Sequence, residues 1–485
     1  MVRAKDSLNR WSGNSYFDFK VAAAQGPTGQ WHFAEGPPST TSADSATVGT
    51  RHPATLNGSA GWSNDARRGY LTTGDHSLYL HGDTSYAQTS EPAVNTADSF
   101  TVSAWAYLES DTTFGSVMAQ GGPGAGLFEL YYSKGVNRWM FKWHTSDNVV
   151  YASAGDTGKP PLQVWTHLAG VYDADAQTIQ LFVNGEAQGD PVTIPAADTP
   201  RATTLPLQFG RSSNYAGSAY IDYFTGRLDE FEVWQRALTA DEISLDAQLI
   251  DPDTKWPSTE LVAHYDPSVA TGTTVKDITP YQRLPLQLSA TGALLDAESG
   301  AISLDGASGT ATTGSPLVDP SGSFTVSTEA MLDSEAVEGK PVGYTAQVLS
   351  QQAADGSVWG FWYQITGIDP DLGTVTAKWY FGRRDADGSV STSAVSSEDN
   401  AETGSPVRLV GVYDASAHVA HLYLNMDEQT KGVSYTPAQT LTDLAVGSAL
   451  LNATRGNYFP GQIDDVRIWA GAMADGNQIA DVILN

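Results

Sequence analysis

One stretch in the middle of the chain occurs again at its C-terminal end. The first copy, DYFTGRLDEFEVWQRALTADEIS, covers residues 222–244, and the second, NYFPGQIDDVRIWAGAMADGNQIAD, covers residues 457–481. Matching residues keep one spacing throughout, so that Asp229 corresponds to Asp464 and Trp234 to Trp469, 235 positions later. A repeat of this length predicts two copies of one domain rather than a solenoid of short units.

Each copy begins with a predicted strand whose side chains alternate between two faces. On that alternation Asp229 shares a face with the apolar residues Phe231 and Val233, and Asp464 is placed in the same way in the second copy. We therefore predict that both aspartates point inward at the rim of a core. A carboxylate in that position needs hydrogen-bond donors or a cation.

A short helix is predicted after each of these strands. Thr239 and Glu242 have the spacing of a capping box, in which two side chains satisfy free amides at the start of a helix. Asp475 and Gln478 have the same spacing in the second copy.

The composition favours a turn-rich β protein. The 485 residues include 47 Gly and 24 Pro, and a hydrophobic content of 41% is enough to fill large cores. With no Cys, neither disulfides nor thiolate metal sites can form. The net charge of −29 argues against nucleic acid or an anionic membrane as a partner, and no segment approaches transmembrane length. Acidic patches can hold cations, but a soluble secreted surface explains the charge more simply.

Strand signals follow the same order in both halves, which predicts an all-β fold of two tandem jelly-roll β-sandwiches, each ending in a short helix. The N-terminal sequence lacks the apolar core of a signal peptide, which favours an excised or processed piece. The matched strands are Phe100–Leu108 with Phe324–Leu332, 168–173 with 409–414, and 181–184 with 422–425. The predicted domains are residues 1–30 (a lead-in strand and linker), 31–250 (the first jelly roll) and 251–485 (the second).

The ordered motifs FTVSAW, WTHLAGVYD, LFVNG and GRLDEFEVWQRALTADEI resemble those of laminin-G-like, or concanavalin-A-like, lectin domains. The nearest form is the one found in tandem in large secreted bacterial modular proteins. The resemblance covers roughly residues 31–250 and 261–485. It implies a jelly-roll fold and an extracellular or cell-surface location. The fold itself hosts lectins, glycanases, adhesion modules and spacers, so it does not imply one function.

The resemblance also implies a calcium site at a loop edge, formed by the Asp of an Asp-Gly turn and the Asp that opens the last strand. In the first copy His81 stands at the Asp-Gly position, and calcium prefers oxygen ligands. The alternative is that these aspartates hydrogen-bond turn amides. The predicted ligands are Asp305, Asn457 and Asp464 in the second copy, and Asp222 and Asp229 in the first.

No catalytic motif is found in the sequence. Glycanases that share this fold carry a Glu-x-Asp-x-x-Glu strand, because retaining hydrolysis needs two carboxylates about 5 Å apart. The nearest sequence here is DEFE at residues 229–232, which lacks that pattern. Metalloprotease, nucleophile-elbow and phosphate-loop patterns are also missing. We therefore predict that the chain is not an enzyme, and rank a glycoside hydrolase as a distant third hypothesis.

Several aromatic side chains are candidates for a sugar-binding platform. Trp105 is matched by Glu329 in the second copy, so the two domains are predicted to differ in chemistry at one site. The alternative is that tryptophans in a β-sandwich are buried in its core. The candidate ligand-binding residues are Trp105, Trp139, Trp143, Glu329, Trp359 and Trp362.

The leading hypothesis is a non-catalytic binding or adhesion module that recognises a glycan or a protein surface, outside the cell or at its surface. The runner-up is a structural spacer between neighbouring modules of a larger chain. An open, aromatic-lined groove on either sandwich would favour the first.

Overall fold

The structure is a computed structural model. It describes residues 26–67, 74–122, 126–144, 150–154, 159–194, 202–214, 219–250, 255–279, 282–317, 319–353, 355–371, 374–398, 400–437 and 442–484. Most of the predicted lead-in at residues 1–30 therefore lies outside the described residues. None of the described helices has the length and apolar character needed to cross a bilayer.

The first half consists of short strands and ends in one helix. In chain order the elements are β1 Gly29–Trp31, β2 Thr41–Ser42, β3 Ala54–Asn57, β4 Gly61–Ser63, β5 Ser77–His81, β6 Tyr86–Thr89, β7 Phe100–Leu108, β8 Gly115–Gly122, β9 Gly126–Ser133, β10 Arg138–His144, β11 Val150–Ala154, β12 Trp165–Asp173, β13 Thr178–Val183, β14 Glu186–Ala187, β15 Val192–Thr193, β16 Gln208–Phe209, β17 Ser212–Ser213, β18 Tyr220–Ile221, β19 Thr225–Trp234 and α1 Ala240–Asp246.

The second half repeats this plan and adds one short helix. Its elements are β20 Glu260–Tyr265, β21 Thr274–Val275, β22 Leu286–Leu288, β23 Ala293–Leu295, β24 Ile302–Asp305, β25 Ala311–Thr312, β26 Phe324–Leu332, α2 Ser334–Val337, β27 Thr345–Gln352, β28 Val358–Ile368, β29 Val375–Arg384, β30 Val390–Ser396, β31 Val407–Asp414, β32 Val419–Leu424, β33 Asp427–Glu428, β34 Val433–Ser434, β35 Ala445–Val446, β36 Ala449–Leu451, β37 Thr454–Gly456, β38 Pro460–Ala470 and α3 Gly476–Leu484.

Each half folds into a sandwich of two antiparallel sheets, and the strand order is the same in both. The nine-stranded sheets run β14-β13-β12-β7-β19-β5-β4 and β33-β32-β31-β26-β38-β24-β23, with β1 and β20 paired to the long last strands. The eight-stranded sheets run β11-β10-β9-β8-β16-β6-β3-β2 and β30-β29-β28-β27-β35-β25-β22-β21. The predicted all-β jelly-roll fold is confirmed.

Local signals in the sequence account for the helices that close the sandwiches. Thr239 caps α1, and the reciprocal bonds between Thr239 and Glu242 complete the predicted capping box. At α3 the Asp475 carboxylate accepts from the Gln478 amide, whereas Gln478 reaches back to the amide of Ala474. Both helices pack on the outer faces of their nine-stranded sheets through small apolar clusters.

Each core lies between the two sheets and is rich in aromatic rings. The sheets approach so closely that glycine is required at Gly170 in β12 and at Gly411 in β31. A side chain there would collide with the ring of Phe141 in the first sandwich and of Phe381 in the second. Removing this apolar surface from water, at roughly 25 cal/mol per Å², is the main force holding each sandwich together.

A β-bulge in each long last strand overturns the predicted direction of the two aspartates. Glu230 in β19 and Asp465 in β38 have φ values of +46° and +47°, and the strand register shifts beside both. The extra residue reverses the alternation of side chains that follow. Asp229 therefore stands opposite Trp105, on the face turned away from the core. The prediction that Asp229 and Asp464 point into the core is wrong.

The two sandwiches are joined by a buried charge network. Arg283 of the second sandwich forms ion pairs with Asp65 of the first and, at 2.7 Å, with Glu260. The guanidinium of Arg67 lies 4.3 Å from the ring centroid of Trp105 and donates to the carbonyl of Ser258. Both Asp65 and Arg67 belong to the connection between β4 and β5, which is longer than its counterpart between β23 and β24. The part of this nine-stranded sheet around Trp105 is thus covered by the second sandwich.

The segment between residues 250 and 260, which joins the two predicted domains, is packed against its surroundings at both described ends. The Ser258 amide donates to the carbonyls of Gln248 and Leu249, and Ile250 forms a bridge with Pro257. Residues 251–254 lie outside the described residues.

Candidate ligand-binding faces

The outer face of the eight-stranded sheet in the first sandwich, called the first face below, carries a buried ion pair. In β9 the side chains of Phe128 and Leu130 enter the core, so Glu129 between them points to the outer face. Lys142 stands opposite Glu129 in β10, with its Nζ 2.5 Å from Glu129 Oε2. The Glu129 side chain has no exposed surface, and that of Lys142 is 9% exposed. Burying two charges costs desolvation free energy, so this position is a candidate functional site.

The buried pair is also in contact with an aromatic ring and leaves one acceptor unmet. Lys142 Nζ lies 4.2 Å from the ring centroid of Tyr131, where the ring face attracts a cation. Within the part of the chain that the structure describes, Glu129 Oε1 accepts no hydrogen bond. Buried carboxylate oxygens are normally satisfied, so this atom is an unsatisfied acceptor buried beneath the first face.

Asp222 lies next to this pair, on the short connection before the last strand. The pKa of Asp222 is raised to about 6, mainly by burial and also by Glu129, while Lys142 opposes the rise. The backbone of Asp222 has a φ of +57°, and its carbonyl accepts from the amide of Ser116 at 2.7 Å. Asp222, Glu129 and Lys142 thus form one electrostatic group with two carboxylates and one cation.

Asp222→Asn is expected to remove a pH-dependent loss of stability. The pKa of Asp222 in the folded state is raised to about 6. Protonated Asp222 therefore contributes to the free energy of unfolding fully below the ordinary pKa of 3.8, and this contribution is lost as the pH rises through 6. The variant should melt higher than the parent above pH 6, by about 2–4 °C after allowing for partial exposure, and no higher at pH 4. Melting curves of both proteins from pH 4 to 8 measure this. If the melting temperatures of parent and variant change in parallel with pH, ionised Asp222 does not destabilise the fold.

An arginine held between two tyrosines lies on the other half of the first face. The guanidinium carbon of Arg211 is 3.1 Å from the ring centroid of Tyr86 and 3.5 Å from that of Tyr220. Arg211 Nε donates to Gln208 and Nη2 donates to Gln88. Tyr220 is 38% exposed, so one aromatic surface remains open beside amide and guanidinium groups.

The second sandwich replaces the ion pair by two glycines. Tyr131 pairs with Ser116, and Trp362 pairs with Gln347 at the corresponding place in the second sandwich. Counting from these residues, Gly360 and its partner Gly382 occupy the positions of Glu129 and Lys142. The outer face of the eight-stranded sheet of the second sandwich, called the second face below, is therefore built around Trp362. The Trp362 ring stacks on Tyr380 with centroids 5.2 Å apart and planes 4° apart.

The Arg384 side chain is part of the second face and contacts β27 and the turn after β29. Its Nη1 donates to Gln347 at 3.2 Å, and its Nη2 donates to Thr345 at 3.4 Å and to the carbonyl of Gly388 at 2.9 Å. Burial lowers the pKa of Arg384 to about 10, and these acceptors are all neutral. Thr345 also donates to Oδ1 of Asn457, the residue that corresponds to Asp222. The matched positions therefore hold two carboxylates and an ammonium group in the first sandwich and a guanidinium group among neutral acceptors in the second.

The structure does not bring the predicted calcium ligands of the second copy together. The Asp305 carboxylate accepts from the amides of Ala307, Ser308 and Gly309 in its own turn. Asp305 pairs with Pro460, four residues along β38 from Asp464, a separation of about 13 Å. Asn457 lies between strands and contacts the other sheet, where it accepts hydrogen bonds from Thr345 and Gln347 of β27. The alternative of a turn-capping aspartate describes Asp305.

The first copy gives the same result. Asp229 is fully buried and accepts from the amides of Arg67 and Glu230, and burial raises its pKa well above the ordinary range. Asp222 lies on the first face, where the ammonium of Lys142 supplies the positive charge. No group of three or more His, Asp or Glu among the described residues has the arrangement of a metal site. The five predicted ligands therefore do not fit one calcium ion in either copy, and calcium binding stays a prediction without a site.

Most of the candidate platform tryptophans are core residues. Trp139, Trp143 and Trp359 are each at most 1% exposed and belong to the aromatic cores, so they cannot form an open platform. Trp105 is 7% exposed and lines the contact between the sandwiches, together with Arg67. The interpretation of these four as ligand platforms is corrected to the buried alternative. Side chains alternate between the two faces of a strand, and these four tryptophans lie on faces that are covered.

Two other candidates lie at the outer faces. Trp362 is on the second face, where Tyr380 and not Trp362 offers the accessible ring surface. Glu329 lies on the outer face of the nine-stranded sheet, is 39% exposed, and pairs with Arg408 at 3.3 Å. Trp105 and Glu329 occupy matched positions and differ in chemistry as predicted. Trp105, however, lies on a covered face and Glu329 on an open one.

Sequence reasoning missed Glu129, Lys142 and Arg384. A usable signal was present, because the first two are single charges inside the otherwise apolar segments LFELYY and WMFKWH. A charge between core residues in a strand must point to the opposite face. That reasoning finds each residue but not its partner, which depends on strand register.

Comparison with known proteins agrees with this architecture. The laminin-G-type family model of the concanavalin A-like lectin/glucanases superfamily matches residues 81–244 and 305–477, which together make up more than half of the chain. The chain belongs to the concanavalin A-like lectin/glucanases superfamily. A comparison with curated proteins gave no match.

Three solved structures illustrate what the chain is similar to. Domain 4 of AbnA, an extracellular GH43 arabinanase from Geobacillus stearothermophilus in complex with arabinotriose, is 19% identical over 46% of this chain and 100% of that chain, with a TM-score of 0.36. The CBM40 of the Ruminococcus gnavus IT-sialidase is 16% identical over 33% of this chain and 95% of that chain, with a TM-score of 0.27. The botulinum neurotoxin serotype G binding domain is 10% identical over 93% of this chain and 99% of that chain, with a TM-score of 0.36.

Proposed function

We propose that the chain is a non-catalytic, extracellular or cell-surface binding module that recognises glycans through the first and second faces. The observation that carries the proposal is the fully buried Glu129, with its Lys142 partner, on a sheet face that points away from the core. A purely structural outer face would not require a desolvated charge pair and an unmet acceptor. Recognition of a polar ligand on this face would account for charges held directly beneath it.

The surroundings of the pair support a sugar as that ligand. Sites for small polar ligands combine aromatic surface with a few fixed hydrogen-bonding groups. The first face offers Tyr220 beside Gln88 and Arg211, and the second offers Tyr380 beside Gln364. Rigid aromatic rings with adjacent amides suit the flat apolar side and the hydroxyl rim of a sugar ring.

A hydrolytic role is not favoured by the carboxylates on the first face. Asp222 and Glu129 interact electrostatically, but Glu129 has no exposed surface and is held by Lys142. A glycosidase needs both carboxyl groups in contact with the scissile bond. We therefore assign binding and not catalysis to this pair.

A glycan array tests the proposal on the full chain. Tyr220→Ala lies on the first face and Tyr380→Ala on the second. Each variant is expected to lower the affinity for the glycans bound by its face about tenfold, because an aromatic contact is lost. Leu294→Ala is the control, since Leu294 is 57% exposed on β23 of a nine-stranded sheet, away from both faces. If neither tyrosine variant changes any glycan signal, recognition by these faces is refuted.

A structural spacer is the second candidate function, and the Arg283 network favours it specifically. Asp65, Arg283 and Glu260 fix one orientation between the sandwiches, which is what a rigid spacer between neighbouring modules requires. A spacer needs no small ligand. If the chain binds no glycan on the glycan array and no protein on a protein array, the spacer function is favoured.

A further inference from the structure

The second face lacks the carboxylates that the first face carries at matched positions. Gly360 stands in the place of Glu129, and Asn457 in the place of Asp222. Strands β27–β30, which form one half of the second face, contain no Asp or Glu. In a chain with 55 acidic and 26 basic residues, the strands of this half carry charges of one sign, all positive.

Two cations on β29 have only neutral partners among the described residues. Lys378, Tyr380 and Arg384 are separated by even numbers of residues, so their side chains lie on the same face of the strand. Lys378 Nζ donates to the backbone carbonyl of Glu398, and Arg384 donates only to amide, hydroxyl and carbonyl oxygens. Burial lowers the pKa of Arg384 to about 10 and no carboxylate acts on it, so the guanidinium keeps its charge at neutral pH.

Arginines in the nine-stranded sheets are neutralised instead. Arg227 in β19 pairs with Glu109 at 2.7 Å, and Arg408 in β31 pairs with Asp465 at 2.7 Å. The chain therefore supplies carboxylates to the cations of these sheets and withholds them from the second face. Charges that lack a counter-ion at a surface attract a ligand of the opposite sign.

A third cation lies on the β36–β37 hairpin, beside the second face. Arg455 is half-buried, and its Nη1 donates to the hydroxyl of Ser448 at 2.8 Å. By hairpin register Arg455 matches Tyr220 of the first sandwich, and Ser448 matches Arg211. Both hairpins thus carry one arginine, supplied from opposite sides, and neither arginine pairs with a carboxylate among the described residues. A positive charge at this place is therefore common to both sandwiches, although the sequence positions differ.

We propose that the second face selects glycans that carry an anionic group, a carboxylate or a sulfate, beside the sugar ring that packs on Tyr380. This selectivity rests on the proposed glycan recognition and narrows its ligand class. Lys378, two residues from Tyr380 and half-buried, is placed to contact the anion. Arg384 is 3% exposed and acts from beneath the face, where its charge is screened less than a charge in water.

A glycan array of matched pairs tests the proposal on the full chain. Each pair holds one carboxylate- or sulfate-bearing glycan and its uncharged counterpart, in which the acid is methyl-esterified or the sulfate is removed. Signals that Tyr380→Ala removes belong to the second face, and we expect these to be about tenfold stronger for the charged member at low salt. High salt should reduce the difference. The kind of charged member that binds distinguishes a carboxylate from a sulfate.

The same array separates failure of this selectivity from failure of glycan recognition. If the uncharged members bind the second face as strongly as the charged ones, the anion preference is overturned while glycan recognition stands. If Tyr380→Ala changes no signal, glycan recognition by the second face is overturned, and the selectivity with it.

Asn457→Asp gives the second face the carboxylate that the first face has. The Thr345 hydroxyl donates to Asn457 Oδ1 at 3.0 Å and accepts from Arg384 Nη2 at 3.4 Å, so a carboxylate at residue 457 lies one hydroxyl away from the guanidinium. That carboxylate neutralises Arg384, and the ratio of charged to uncharged binding is expected to fall about 3- to 5-fold. Aspartate suits this backbone, since Asp222 has a φ of +57° and Asn457 a φ of +51°.

Asn425→Asp is the matched control, because it adds the same charge at a φ of +49°, directly after β32 of the nine-stranded sheet. Its ratio of charged to uncharged binding should equal that of the parent. Lys378→Gln, an independent second variant, should lower the ratio about 3- to 5-fold by removing a half-buried ammonium group. Parental ratios in both Asn457→Asp and Lys378→Gln would show that these charges do not select the ligand, and the proposal would be overturned.

Discussion

Arg283→Ala is expected to lower the free energy of unfolding by about 3–5 kcal/mol, because two buried carboxylates then lose their partner. The Arg283 side chain is 7% exposed, and the side chains of Asp65 and Glu260 are 6% and 1% exposed. Glu260 lies at the start of β20 and Asp65 in the other sandwich, so the loss affects both the second sandwich and its contact with the first. Denaturant unfolding of parent and variant measures the change.

Arg51→Ala provides the matched control for this substitution. Arg51 is exposed, and loss of an exposed side chain away from such a network changes stability by about 0.5 kcal/mol or less. If Arg283→Ala unfolds at the same denaturant concentration as Arg51→Ala, the network does not hold the sandwiches together. A second transition appearing only in Arg283→Ala would instead show that the two sandwiches have separated and unfold in turn.

Trp139→Ala is expected to destabilise the first sandwich by about 3–5 kcal/mol, since it removes a large ring from a close-packed core. Trp139 is 1% exposed, and its ring packs edge-on against Tyr132 at 5.9 Å. Thermal or denaturant unfolding measures the loss. Phe114→Ala, which removes an exposed ring, should stay within about 0.5 kcal/mol of the parent.

The same variant separates the two interpretations of the tryptophans. A ligand platform would lose binding and keep its stability, whereas a core residue loses stability first. A Trp139→Ala protein that melts like the parent but no longer binds its glycan would restore the platform interpretation.

The strands could be predicted from the sequence because their information is local. Alternating apolar residues placed β7 and β26 within the bounds Phe100–Leu108 and Phe324–Leu332 that the structure has. The capping box at Thr239 was equally visible, since it depends on two residues three positions apart. The second copy added an independent test of each assignment, which made the fold class accessible from one sequence.

The direction of Asp229 could not be predicted because the bulge beside it has no local signature. The bulge residue in β19 is Glu230, and the matching one in β38 is Asp465; neither is a glycine, although both have positive φ. A strict alternation carried through such a residue places every earlier side chain on the wrong face. The predicted ligands Asp305 and Asp464 are apart for a different reason, because Asp305 pairs with Pro460, four residues along β38 from Asp464, and calcium binding stays a prediction.

The binding faces and the contact between the sandwiches depend on long-range pairing. Glu129 meets Lys142 only through the register of β9 and β10, and Asp65 meets Arg283 across 218 positions of the chain. Composition and spacing give no information about such partners. The sequence could therefore indicate which strands carry unusual charges, but not which charges meet on each face.

Hydrogen–deuterium exchange of the full chain, with and without the oligosaccharide that binds most strongly on the array, tests the central claim most directly. Recognition by the first face predicts slower exchange in β8, β9 and β10 and around Asp222, and recognition by the second face predicts it in β27, β28 and β29 and around Asn457. Protection confined to the nine-stranded sheets, or no protection at saturating oligosaccharide, would contradict the assignment of these faces as the binding sites.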